Sequence, residues 1–406
     1  MVVTLLCVAA ATEVSAQSRG LVLNEQLTLG DVVAGERLNV VDPSAQVSSS
    51  VAAQGNTLIG GTEGQDIAVQ SRQDMQGQAR ARLETTIGGQ AQGILNTTVQ
   101  ARGNYLAGSS TNARMQIDAA QAASGPVVAQ TQITGTEAQL AGGAIMATGA
   151  IANTIALSGS GTPSDRAAVV GLIDQSTSST VFASTRGSPR FVREPSDFAA
   201  QAMGNAVQST TGPNANQELL IRQRSSGDQI QADVGIYVGN GWDLTARSVA
   251  TANSAAVYNQ GGSLITTTDQ NNSSAVYSET DLSSYDFGKA TAIAHATGNE
   301  VIIGNNDIYL EIDNAQMNTG GVEATALFTG YNGYDAYVGA NAVGNNVTGY
   351  VCGDCGGNVN ITNQQVNSGN VSATANTVIN GSGRHIITGT TATGNAATFY
   401  ATRPGG

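Results

Sequence analysis

From residue 300 onward, apolar and polar positions alternate in short runs separated by turn-forming residues. EVIIGNN supplies an apolar run and a turn, and DIYLEIDNAQMN alternates apolar with polar side chains. NTGG turns, VEATALF alternates again, GYNGY turns, and DAYVGANAVG leads into the next Gly-Asn pair. A period of two with Gly/Asn punctuation predicts strands and turns. No 3.6-residue apolar stripe persists over three turns in these repeats, so the fold class predicted is all-β.

The pattern is also periodic on a longer scale. Asn56, Asn104, Asn153, Asn205, Asn253, Asn299, Asn345 and Asn395 each follow Gly or Ala and have Ala three residues earlier, at steps of 46 to 52. A second series runs out of phase: Gln26, Gln73, Gln121, Gln175, Gln223, Gln270, Gln316 and Gln365. One unit repeated about eight times is a stacked array, here a repetitive β-solenoid of ~47-residue repeats. Four short strands per repeat fit two rungs of roughly 23 residues, giving a rod of order 75 Å at an interstrand rise of about 4.8 Å. A single wide rung per repeat fits equally and halves that length. The repeated Asn are read as corner residues that tolerate left-handed backbone, and stacked Asn and Gln amides as ladders along the axis.

Composition narrows the core. Fifty Gly and only 4% aromatics suit a thin interior of small and β-branched side chains, and 12% charged residues argue against a disordered chain. The net charge of −13 leaves no basic stripe for phosphates and excludes nucleic acid as a partner. Between Ser248 and Gly383 eleven acids face one base, Lys289, and ten of the eleven Tyr follow residue 230. The chain thus divides into Gln/Ala-rich repeats over 17–157, an irregular Pro/Arg-containing segment over 158–200, and acidic, Tyr-bearing repeats over 201–406. Within the middle segment SDRAAVVGLID predicts a short helix, in an exposed loop or hinge.

Residues 1–16 resemble a secretory signal peptide with cleavage after Ala16, and no other stretch has the ~20 apolar residues of a spanning helix. The chain is therefore expected to be exported. Cys352 and Cys355 in VCGDCGGN are expected to form a local disulfide in that setting. Two Cys and a distant His385 do not make a zinc site, and no metal or cofactor is expected.

Catalytic signatures are absent: His295 and His385 are the only histidines, and no HExxH, GxSxG or Walker-type loop occurs. The only carboxylate groupings are Asp281 with Asp286, and Asp307, Glu311 and Asp313, whose shared strand parity gathers three acids on one face. They would carry a polysaccharide-active β-helix enzyme if one existed here. A solvated strand face explains them as well. Tyr309, Tyr331, Tyr334 and Tyr337 are the candidate glycan contacts, since Tyr joins flat apolar area to a hydroxyl.

The Q-x-N-[ST]-G-x-V-x-A-T-A form at Gln316 and Gln365 resembles curlin-type amyloid repeats. Chain length, the export start, the Ala/Thr/Gly/Asn strands and the acidic, Tyr-bearing second half resemble the holdfast anchor protein D family of stalked bacteria. That resemblance implies a structural adhesin of the outer membrane and cell surface, not an enzyme. Its implied partners are an adhesive surface polysaccharide and companion outer-membrane anchor proteins. The alternatives are a self-assembling curli-like fibre subunit, whose partner is itself, and the polysaccharide-active enzyme.

Overall fold

The structure, a computed structural model, describes residues 20–402 apart from 136, 308 and 353–357. Each repeat closes one coil. The first two coils contain β1 (Gly20–Thr28), β2 (Val32–Val40) and β3 (Val47–Glu63), then β4 (Ile67–Met75), β5 (Ala79–Ile87), β6 (Gln90–Ala91) and β7 (Leu95–Thr111). The third holds β8 (Arg114–Ala123), β9 (Val127–Thr134), β10 (Gln139–Leu140) and β11 (Ala144–Ser160). The fourth holds β12 (Ala167–Thr177), β13 (Val181–Gly187), β14 (Phe191–Val192) and β15 (Ser196–Thr211). Coils five to seven each pair a short strand with a long wrapping one. These are β16 (Ala215–Ser225) with β17 (Gln229–Asn259), β18 (Ser263–Asn272) with β19 (Ala275–Asn305), and β20 (Tyr309–Asn318) with β21 (Val322–Cys352). The eighth coil is β22 (Asn358–Asn367), β23 (Val371–Ile379) and β24 (His385–Thr402).

Every strand pairs in parallel with its equivalent one repeat away. The first strands of the eight coils form one sheet, β1-β4-β8-β12-β16-β18-β20-β22, in which Gln26 faces Gln73 and Gln175 faces Gln223. The remaining strands form the second sheet, in which Asn104 faces Asn153 and Asn253 faces Asn299. One repeat is therefore one wide rung, and eight coils at the parallel-strand spacing give a stack about 38 Å long.

Each coil is a flattened loop with two layers. Its first and second strands run in succession along one layer, and the long third segment returns along the other. The second strands and the first half of the return segment enclose one core, which includes Leu83, Val99, Met146 and Phe198. The first strands and the second half enclose another, with Met115, Ile155, Val169 and Leu264. Both cores are built from alternate strand positions, as the period-two pattern requires. The return segment bends at the residue before each repeated Asn: Gly103 and Asn104 are both buried, and the pairing ladder skips Gly103. That bend shifts the inward parity by one and aims the Asn side chain between the two cores.

There the amides form a polar wall. Each Asn donates to the next: Asn56 to Asn104 at 2.7 Å, then Asn153, Asn205, Asn253, Asn299, Asn345 and Asn395 in turn at 2.7 to 2.8 Å. The second hydrogen of each of these amides goes to the carbonyl following the next coil's Gln, as from Asn104 to Ala122 O and from Asn205 to Arg224 O. The Gln series runs the other way, Gln121 donating back to Gln73 and Gln223 back to Gln175. Each Gln also caps the carbonyl after the Asn of its own coil, as from Gln223 to Ser254 O. The two ladders point in opposite directions, so their amide dipoles oppose one another. Burying such groups is tolerable because nearly every donor has a partner.

Two expectations are corrected. Ala167–Thr177, which takes in all but the first three residues of the predicted helix, is strand β12, paired with β8 on one side and β16 on the other. Ala167, Val169 and Ile173 face inward, and the neighbouring strands supply backbone partners that a helix would forfeit. The ladder Asn do not take left-handed backbone. Among the described non-glycine residues positive φ occurs at Asn112 and Asn214, in the turns joining one coil to the next. Strand dihedrals at the bend are what point a ladder amide inward. The segment over 158–200 stacks on its neighbours like the other coils, and its extra residues form the turn at 161–166. The expected signal peptide and Cys355 lie outside the described residues; Cys352 ends β21, half-buried.

Candidate functional site: an aromatic corner groove

In coils five to seven the second strand passes into the return segment without leaving the ladder, so β17, β19 and β21 wrap around a tight corner. Three sequences recur at that corner at 46-residue intervals: NGWD at 240–243, DFGK at 286–289 and NGYD at 332–335. Their stacking puts Asn240, Asp286 and Asn332 in one column and Gly241, Phe287 and Gly333 in the next. Phe287 is buried and packs edge-on against Phe328, ring centroids 5.0 Å apart. A Cβ on Gly333 would stand 2.4 Å from the Phe287 ring, so glycine there makes the ring's seat.

The outer side of the corner is aromatic. Trp242 is 60% exposed and Tyr334 is 52% exposed. Trp242 leans over Gly288 and meets Tyr334 edge-on at 6.2 Å. Tyr285 and Tyr331 stack nearly parallel, 4.9 Å apart, and the Arg384 guanidinium lies over the Tyr334 ring. Arg384 in turn forks onto Asp335, whose other close partner is His385 at 2.9 Å. Hydrogen bonds from Arg384 and then His385 hold the Asp335 carboxyl down at about 2. A groove of about 640 Å³ runs across this corner, walled at one end by Phe191, Arg193 and Glu194 of coil four and at the other by Ser382 of coil eight. Its volume is that of a small-molecule site.

The residues singled out in the sequence fall in different places. Tyr331 and Tyr334 are at the corner, and Tyr334 lines the groove; Tyr337 is exposed further along β21. Tyr309 lies on β20 in the other sheet, where its hydroxyl donates to Glu311 at 2.5 Å. Trp242, Asn240 and Asn332 were not singled out, although the 46-residue recurrence of their tetrapeptides was there to find. Asp281 and Asp286 do not form a pair: Asp281 accepts from the Tyr237 hydroxyl at 2.9 Å, while Asp286 lines the groove. Asp307 accepts from the Gly262 amide in a turn, Glu311 is engaged by Tyr309, and Asp313 is exposed. The three acids thus serve separate local roles.

His295 is a partly buried strand residue. Its Nδ1 accepts from the Asn341 amide at 3.0 Å, so Nε2 carries the hydrogen toward Thr297 Oγ1 at 2.9 Å. Burial lowers its pKa, and the Glu300 charge offsets this in part. Elsewhere the Asp233 carboxylate takes both Arg186 Nε at 2.9 Å and Nη2 at 2.6 Å, with Ser184 also donating at 3.0 Å. Among the described residues no cluster of His, Cys, Asp and Glu is arranged to hold a metal ion. Among them, too, no helix is long and apolar enough to cross a membrane, which says nothing of crossing by strands.

These features define a repetitive parallel β-solenoid, rigidified by internal amide ladders and bearing an aromatic groove along one edge. The model of the family described as holdfast attachment protein D matches residues 41–321, about two-thirds of the chain. The chain belongs to that family, whose role is attachment. Comparison with curated proteins and with solved structures returned no match.

Proposed function

We propose that this protein is a cell-surface structural adhesin that holds an adhesive polysaccharide, the holdfast, to the bacterial outer membrane and catalyses no reaction. The supporting observation is a ladder-stiffened stack with one corner that gathers exposed Trp242, Tyr285, Tyr331 and Tyr334 on its outer side. A stiff scaffold presents many weak contacts at fixed spacing, so that they add through effective concentration. Of the acids that catalysis would draw on, Asp281, Asp307 and Glu311 are taken up in a turn and in Tyr hydrogen bonds. Companion outer-membrane anchor proteins complete the attachment on the cell side. Deletion of the gene in its host, followed by imaging of labelled polysaccharide, tests this reading. Adhesive material made normally but shed into the medium is the expected result. Polysaccharide retained at the cell surface sinks it.

One observation favours self-association as a second reading. The inward positions of β1, β2, β22 and β23 are only half-buried, in contrast to the closed interior of the middle coils. Strand edges of this kind add further strands readily. Sedimentation across a concentration series separates a monomer from growing assemblies.

A further inference from the structure

The corner groove has a chemistry and a period of its own. Its walls combine the indole of Trp242 and the phenol of Tyr334 with a column of short polar side chains, Asn240, Asp286 and Asn332. The column repeats once per coil, at about 4.8 Å, a spacing close to the length of one unit in an extended pyranose chain. Asn240 and Asp286 carry no side-chain hydrogen bond within the described protein, and both are exposed. Asn332 is exposed and uses its oxygen to accept from Ser382, which leaves its amide hydrogens available to another partner.

Such a set matches a ligand that is apolar on one face and hydroxylated at its edges. Aromatic rings cover C–H faces, while amides and a carboxylate meet hydroxyl groups. A lipid leaves the polar column unsatisfied. An anionic chain meets a net acid lining, because Glu194 and Asp286 oppose Arg193 alone among the lining residues, while Asp243 and Asp335 beside them are already paired with Lys289 and Arg384. The groove also runs from coil four to coil eight, along the solenoid axis, which suits a polymer better than a compact molecule.

We infer that this groove binds a neutral pyranose chain lying along the solenoid axis, stacked on Trp242 and Tyr334 and hydrogen-bonded by Asn240, Asp286 and Asn332. The inference rests on the attachment reading above and supplies its contact site. Arg384, lying over the Tyr334 ring and tied to Asp335, holds that ring in place.

Trp242 is the only tryptophan in the chain, so its fluorescence reports on the groove directly. The test titrates the full chain with the neutral β-1,4-linked cellohexaose and mannohexaose and, separately, with polygalacturonate. A saturable change with at least one neutral hexasaccharide and none with polygalacturonate is expected. Tyr334→Ala should weaken the neutral interaction about tenfold, with Tyr337→Ala near wild type, and Trp242→Ala read by affinity electrophoresis should match Tyr334→Ala. Both aromatics are exposed, and circular dichroism confirms that the variants fold. No saturable response to either neutral hexasaccharide, or equal loss in Tyr337→Ala and Tyr334→Ala, overturns the inference. The cell assay separates the two levels. If gene deletion sheds polysaccharide but Trp242→Ala with Tyr334→Ala does not, the attachment reading stands and the groove is overturned. If deletion sheds nothing, the attachment reading falls and the titration alone decides the groove.

Discussion

The side-chain amide of Asn205 donates a 2.8 Å hydrogen bond to Oδ1 of Asn253, one coil further along the axis. The same amide holds the Arg224 carbonyl at 2.9 Å, while its oxygen accepts from Asn153 and from Thr177. Asn205→Ala removes all four bonds at once inside a fully buried wall, and should cost about 2–4 kcal/mol. Asn395, at the exposed end of the same ladder, accepts one bond from Asn345, so Asn395→Ala should cost about 1 kcal/mol. Urea midpoints of the two variants measure the contrast, and equal shifts contradict a load-sharing ladder.

Phe287 fills the corner of the wrapping strands between two glycines and against Phe328. Phe287→Ala opens a cavity that the stacked backbone cannot close, for an expected loss of about 3–5 kcal/mol. Thermal unfolding reads the loss. Phe287→Leu should recover much of it, because it restores most of the buried volume.

His295 gives the fold a sensitivity to acid. Its folded pKa lies below the ordinary value because burial disfavours the charged ring. The unfolded chain therefore binds more protons than the native one as pH falls through about 6.5, and stability falls with it. Acidification from pH 8 to 5 should lower the unfolding midpoint of wild type more than that of His295→Gln. A parallel fall in both proteins assigns the effect elsewhere.

Asp335 should titrate at lower pH than a free surface carboxylate. Arg384 and His385 keep it ionised to about pH 2, and Arg384→Ala should return its titration toward the ordinary range. Carboxyl carbon shifts followed by NMR would show the change, and an unaltered midpoint in the variant removes Arg384 as the cause.

The fold was largely legible because its determinants recur. Asn153 and Asn205 announce their stacking by spacing alone, and alternation fixes which side chains of VEATALF turn inward. Two local features were hidden from that reasoning. SDRAAVVGLID contains enough Ala and Leu to suggest a helix, yet Gly171 sits at φ +144° with Ile117 O where its Cβ would be. That irregularity exists only because β8 and β16 flank the strand. The groove was only partly visible: Tyr334 stood out by residue type, but Trp242 gains meaning from Gly288 and Tyr334 stacked above it. Spacing reveals which residues share a column, whereas the direction a corner opens depends on how three coils wrap together.

Because each repeat closes a single wide coil, the backbone hydrogen bonds joining coils lie along the axis. Tension applied between the two ends therefore loads those bonds directly and peels coils from an end, one after another. Partners in the ladders are 46 to 54 residues apart in sequence, so each coil that gives way releases roughly 160 Å of slack chain. The molecule yields in discrete steps under a sudden pull and lengthens before its outermost connections break, the behaviour of a shock absorber.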